Sequence, residues 1–373
     1  MFAPILLAAT APASPTAYES AAPVAYLIDF SSGAILYSRD ADRRIPTASM
    51  AKMMTAWVTF EAIKAGKLTT KQTFPVKDAT WTKWNNTGSS MFLKVREDVS
   101  VANLLHGILT VSGNDASVVL AEGMAGTEAA FAERMTMEAK RLGMKNSRFG
   151  TANGWPDSGY TYSTAHDLAL LANRIVNDHP ELFRQYFGQR SFTWNGVTQA
   201  NRNPLLGAIA GADGMKTGHS DEAGYCLVGT VKQGKRRLLL VIAGLSTQAA
   251  RINEARNMMK WGFDAWQSKP LFGRGRTVVD IPVQLGDKSK ISLVAPRDLA
   301  ATLPKGSTNP ISLTVRYNGP VRAPFAKGAE LAQLVVKLSD GSKQIMPLVA
   351  AESVGTTGFF GRAWNGAKSL VGA

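Results

Sequence analysis

Ser49-Met50-Ala51-Lys52 sets a hydroxyl and a primary amine three residues apart, and at i, i+3 on a helix they share a face. A serine hydroxyl attacks well only after a base takes its proton, and a lysine amine serves once burial or a nearby cation lowers its pKa. A helix start also offers backbone N–H groups and a positive dipole end to a developing oxyanion. The spacing alone is a weak signal, because serine is a common helix cap. Ser112-Gly113-Asn114 adds a second hydroxyl beside an amide, and Lys216-Thr217-Gly218 adds a second amine beside a hydroxyl. The chemistry open to such a set is nucleophilic attack by serine.

Each cluster needs its own support. Ala25–Asp29 and Ala34–Tyr37 flank Ser31-Ser32-Gly33 and read as a hairpin. A largely buried helix is predicted from Thr47 to Ala65, with Ser49 at its start. A helix from Val101 to Leu109 stops near Ser112, and another begins at Asp115 or Ala116, so Ser112-Gly113-Asn114 falls in the break between them. Helices are also predicted over Glu128–Leu142 and Ala165–Asn177, separated by a Gly, Asn and Pro-rich loop at 150–159; Asp167 reads as a cap or anchor of the second. Lys216-Thr217-Gly218 precedes an antiparallel hairpin of Ala223–Val231 and Arg236–Gly244, after which a helix from Gln248 to Trp266 is ended by Pro270. Residues 18–270 thus read as one domain with strands from both chain ends around a helical block. Residues 271–357, with short β-type runs between turns, read as a small all-β domain.

The composition fits this division: 373 residues, 45% hydrophobic and 19% charged, suffice for two cored domains. Lys plus Arg exceeds Asp plus Glu by 42 − 28 = 14, so the chain is attracted to polyanions. The basic residues are dispersed and no nucleic-acid-binding pattern interleaves them, so nucleic acid is not expected as a partner. A single cysteine, Cys226, excludes an intrachain disulfide and a multi-thiolate metal site, and it reads as a core strand residue. His106, His166, His179 and His219 lack metal spacing, so no metal or other cofactor is expected. Residues 1–17 are apolar, without the basic start of a full export signal, and read as a short or truncated one. On a helical wheel of residues 358–373, Phe359, Phe360, Trp364 and Leu370 share one side while Arg362, Asn365 and Lys368 lie outside it. That pattern suits a helix lying on an anionic membrane surface.

Ser-x-x-Lys, Ser-x-Asn and Lys-Thr-Gly, in this order, form the motif set of penicillin-binding proteins and class A β-lactamases, where the second is often Ser-Asp-Asn; here its middle residue is Gly113. With Pro46–Thr55, Ser112–Ala116 and Asp213–His219, the chain resembles the serine D-alanyl-D-alanine carboxypeptidases, low-molecular-mass penicillin-binding proteins of peptidase family S11. The resemblance implies an α+β domain of the serine β-lactamase/penicillin-binding type, an antiparallel sheet with helices, then a small β-sandwich and a C-terminal amphipathic helix. It implies Ser49 as acylated nucleophile, Lys52 as base, Ser112 as proton relay, Asn114 as holder of the substrate peptide and Lys216 as a positive charge beside Ser112. The oxyanion hole would be the backbone N–H groups of Ser49 and His219, next to Gly218. Thr217 and Arg251 would bind the terminal carboxylate, a guanidinium being able to grip it bidentately, with Arg202 nearby in a less defined role. Sequence alone leaves open whether Lys52 or Lys216 takes the serine proton, since burial decides.

The implied partners are peptidoglycan stem peptides ending in D-Ala-D-Ala, β-lactams as covalent inhibitors and an anionic membrane surface, with the protein peripheral on the periplasmic face of a bacterial inner membrane. Two alternatives share the motifs: a class A-like β-lactamase, and an inactive basic cell-wall or lipid-binding homologue. Class A enzymes deacylate with a glutamate, and the segment from Gly150 to His166 holds Asp157 but no Glu.

Overall fold

The computed structural model describes residues 17–356. All but Ala17 of the expected export segment, and the expected amphipathic helix at 358–373, lie outside the described residues. In chain order the elements are β1 (Val24–Asp29), β2 (Ala34–Arg39), β3 (Ile45–Pro46), a 3-10 turn (Ala48–Ala51), α1 (Lys52–Lys64), β4 (Thr73–Pro75), α2 (Asp78–Trp84), β5 (Asp98–Ser100), α3 (Val101–Leu109), α4 (Asn114–Ala125) and α5 (Glu128–Leu142). Then come β6 (Tyr162–Ser163), α6 (Ala165–Asp178), α7 (Pro180–Tyr186), β7 (Ser191–Trp194), β8 (Val197–Ala200), β9 (Ala212–Ser220), β10 (Gly224–Gln233), β11 (Arg236–Leu245) and α8 (Gln248–Asp264). The last are β12 (Trp266–Phe272), β13 (Thr277–Gln284), β14 (Lys290–Val294), β15 (Leu299–Pro304), β16 (Ser312–Tyr317), β17 (Val321–Arg322), β18 (Glu330–Lys337) and β19 (Lys343–Ala350).

The chain divides into a larger unit, Tyr18–Phe30 with Leu36–Gly262, and a smaller one of Ser31–Ile35 and the residues from Phe263 onward. The larger unit is organised on a sheet ordered β2-β1-β11-β10-β9, with β9 at the edge. β10 and β11 are apolar runs because both faces are covered. Leu239, Val241 and Ala243 join the core of the helical block, while the alternate residues face the other way and Gly262 of α8 lies against Leu27 and Leu238. α1 is buried on all sides from Lys52 to Phe60, so it has no polar face and reads as a central core helix. Thr164 caps α6 by accepting from the Asp167 N–H, and the Asp167 carboxylate accepts from the Asn146 N–H and the Ser147 hydroxyl. Asp167 is therefore an anchor and the cap is Thr164.

α8 ends at Asp264, and Pro270 lies inside β12, opposite Ala300 of β15, instead of terminating a helix. A two-stranded pair tolerates a proline whose missing N–H faces away from its partner. In the smaller unit this ribbon shares one core with a six-stranded sheet, β16-β18-β19-β14-β13-β17, through Leu299, Leu303, Leu334 and Leu348. Among the described residues no helix is long and apolar enough to cross a membrane.

Candidate active site

The three clusters meet in one cleft of the larger unit, of about 470 Å³, lined by Ser49, Ser112, Asn114, Thr217, Gly218, His219, Arg202 and Arg251 among others. Ser49 sits in the 3-10 turn just before α1, and Lys52 is the first residue of that helix. Ser112, with φ of +66°, occupies the break between α3 and α4, and Asn114 opens α4. Lys216, Thr217 and Gly218 lie along β9, the sheet edge. β9 crosses the Ser49 turn so closely that a Cβ at Gly218 would stand 3.0 Å from the Thr47 carbonyl oxygen, which is why glycine follows Lys216-Thr217.

Lys52 is fully buried, and its Nζ lies 2.9 Å from Ser49 Oγ, 2.8 Å from Asn114 Oδ1 and 2.8 Å from the Asn153 carbonyl oxygen. Burial, helped by the positive charge of Arg202 and opposed by Asp115 and Glu128, pushes its pKa down to about 7 from an ordinary 10.5. A neutral amine has two N–H bonds and one lone pair. The Asn114 and Asn153 oxygens accept the two N–H bonds, so the lone pair is left facing the Ser49 hydroxyl.

Lys216 is also buried, and its Nζ donates to its neighbour's carbonyl, Thr217 O, at 3.0 Å. Desolvation and the charges of Lys52, Arg202 and Arg251 drive its pKa well below the lysine range. Arg251, 4% exposed, faces the ring of Tyr225, and its buried Nε–H has no partner among the described residues. Arg202 donates to Ser89 Oγ. Two guanidiniums, Arg202 and Arg251, thus line the cleft against one carboxylate in its lining, Asp221, a positive excess that suits an anionic ligand. The His219 side chain is exposed and packs on Tyr225, ring centroids 3.9 Å apart.

Ser49, Lys52, Ser112, Asn114, Lys216, Thr217, Gly218, His219, Arg202 and Arg251 all reach this region, and others join it unforeseen. The Asn153 carbonyl is the third partner of Lys52. Gly88, Ser89, Trp155 and Asp221 line the cleft. Backbone acceptors leave no trace in residue type, so Asn153 had no signal beyond the Asn-Gly turn pair at 153–154.

The helical block on an antiparallel sheet, the serine–lysine pair before a buried helix and the small all-β unit define the penicillin-binding type of fold. The chain matches the D-alanyl-D-alanine carboxypeptidase family over residues 8–247 and the penicillin-binding protein 5 C-terminal domain over 266–356. It is 35% identical over 370 residues to the D-alanyl-D-alanine carboxypeptidase DacC of Escherichia coli, covering 98% of this chain and 92% of that protein. The crystal structure of penicillin binding protein 5 from Haemophilus influenzae superposes with a TM-score of 0.77 at 34% identity, covering 91% of this chain and 99% of that one. Penicillin-binding protein D2 of Listeria monocytogenes, solved in its ampicillin-bound form, gives a TM-score of 0.59 at 32% identity over 65% of this chain and 98% of that one. The chain belongs to the D-alanyl-D-alanine carboxypeptidase family, peptidase S11.

Proposed function

We propose that the chain works as a serine-type carboxypeptidase that removes the terminal D-Ala from peptidoglycan stem peptides through an acyl-Ser49 intermediate. One observation carries this reading: the Lys52 amine has its two N–H bonds engaged elsewhere and its third position 2.9 Å from Ser49 Oγ. Ser49 Oγ attacks the carbonyl carbon of the penultimate D-Ala while its proton passes to Lys52 Nζ. The C–N bond then breaks, the departing amine takes a proton relayed by Ser112, and water hydrolyses the ester. Lys216 fits the base role less well, since its Nζ donates to the Thr217 carbonyl. β9 is an edge strand, so an extended peptide can lie along it by main-chain hydrogen bonds, with its carboxylate toward Thr217 and Arg251. The Ser49 and His219 N–H groups are assigned to the oxyanion.

β-Lactams acylate Ser49 in this account and leave slowly. Glu128 is a carboxylate near Lys52, and its Oε1 already accepts the Ala152 N–H. In this proposal the chain lies on the periplasmic face of a bacterial inner membrane, held by residues 358–373. The net charge of +14 and the amphipathic pattern of that segment support this. Release of D-Ala from a diacyl-Lys-D-Ala-D-Ala peptide is expected for the wild type and absent for Ser49→Ala. An inactive wild type points to the non-enzymatic homologue, and fast steady-state turnover of nitrocefin to a β-lactamase.

A further inference from the structure

Asp115, next to the second motif, is buried and has no part in the chemistry above. Its carboxylate accepts four hydrogen bonds: from Ser90 Oγ at 2.7 Å, Met91 N at 3.0 Å, Leu93 N at 3.2 Å and Ala116 N at 2.9 Å. Three of these come from one stretch of chain, 90–93, which Asp115 thereby fastens to the start of α4. The residues just before that stretch hold Asn114. Ser89 O accepts the Asn114 N–H at 2.7 Å and Thr87 O accepts from Asn114 Nδ2 at 3.3 Å. With its NH2 end fixed on Thr87, the Asn114 amide has to present Oδ1 to Lys52, at 2.8 Å.

Gly113 shows where this carboxylate belongs in the motif. Its φ of −55° suits any residue, so backbone conformation does not require glycine. A Cβ there would stand 2.8 Å from Asp115 Oδ1 and 3.2 Å from Met91 N. The Asp115 oxygen therefore fills the space into which any side chain at position 113 would start.

We propose that Asp115 is a positioning residue standing in for the absent middle aspartate: it fastens residues 90–93 to the active-site turn and so orients the Asn114 amide toward Lys52. The inference rests on the reading of Asn114 and Lys52 as active-site groups. Asp115 also acts through charge, as its carboxylate favours the Lys52 ammonium, along with Glu128 and against Arg202.

The test is single-turnover acylation of the full-length chain by a fluorescent penicillin, with thermal melts to verify folding. Asp115→Ala is expected to acylate at least tenfold more slowly than wild type. Gly113→Asp/Asp115→Ala, which returns a carboxylate to the same space from the other residue, is expected to recover most of that loss. A folded Asp115→Ala within twofold of wild type overturns the proposal, as does a folded double variant no faster than the single one. Asp115→Asn removes the charge and puts an NH2 where a carboxylate oxygen accepts backbone N–H bonds, so it should acylate more slowly and the acid limb of its pH–rate profile should move to lower pH. If Asp115→Ala does not fold, the plateau acylation rate of Asp115→Asn decides, and a folded Asp115→Asn within twofold of wild type there overturns the proposal. Failure of the wild type itself to acylate would strike the active-site reading instead, so the two failures are distinguishable.

Discussion

Acylation of Ser49 should follow the deprotonation of Lys52. An ordinary lysine, with a pKa of about 10.4, is neutral in roughly one molecule in 2,500 at pH 7. Burial brings Lys52 to about 7, where half the molecules carry the free amine. The fold thus raises the reactive fraction at neutral pH by roughly a thousandfold. The acylation rate constant should fall about fivefold from pH 7 to pH 6 and about ninefold more by pH 5, following the fraction of neutral amine. Arg202, whose charge helps to lower that pKa, gives the second arm. In Arg202→Gln the ammonium is favoured again, so the limb should move to higher pH, opposite to Asp115→Asn. Stopped-flow acylation by a fluorescent penicillin between pH 5 and 9 separates this step from deacylation. A flat profile, a limb centred above pH 9, or an Arg202→Gln limb moved to lower pH would refute the reasoning.

Arg251→Gln should raise KM for a D-Ala-D-Ala peptide by about tenfold or more with a smaller change in kcat, since a hydrogen bond to a charged group contributes about 1.5–3 kcal/mol; an unchanged KM in steady-state assays counts against Arg251 as the carboxylate's partner. Lys52 also links pH to stability. The folded chain releases its proton near pH 7 and the unfolded chain near 10.4, so from pH 7 to 10 wild type should gain stability relative to Lys52→Met in denaturant titrations, and a falling difference contradicts the assignment. Asp29, fully buried in β1 and 2.9 Å from Arg236 Nε, lies outside the cleft. Asp29→Ala should cost about 3–5 kcal/mol in thermal denaturation by taking the buried carboxylate away from the Arg236 guanidinium, with D-Ala release per folded molecule unchanged. Deleting residues 358–373 should leave activity on soluble peptides and abolish pelleting with anionic vesicles; continued pelleting speaks against the anchor.

The motif settings were legible because each depends on a local signal: serine before an apolar helix, Ser-Gly-Asn where one helix pattern stops, Lys-Thr-Gly ahead of a turn-linked strand pair. Elements lacking a broad apolar face went unread. α2 buries only Thr80 and Trp84, and α7 only Phe183 and Tyr186. Two of the omissions did carry signals. Pro180 at the first turn of α7 is a helix start, and Asn195-Gly196, both at positive φ, joins β7 to β8 as an Asn-Gly hairpin turn should. Pro270 misled because a proline ends a helix or sits in an edge strand, and only pairing with β15 decides between these. The Asp115 clamp and the Asn153 carbonyl arise from tertiary contacts among segments far apart in sequence, which no periodicity records.

The central claim is that Ser49 becomes covalently acylated with Lys52 as its base. Intact-protein mass spectrometry after brief exposure to benzylpenicillin, followed by peptide mapping, tests it most directly. Wild type should gain the mass of one penicilloyl group on the peptide containing Ser49, while Ser49→Ala should gain none and Lys52→Ala should gain it far more slowly though folded. An adduct on another residue, an undiminished adduct on Ser49→Ala, or a Lys52→Ala variant acylated at the wild-type rate would contradict the account.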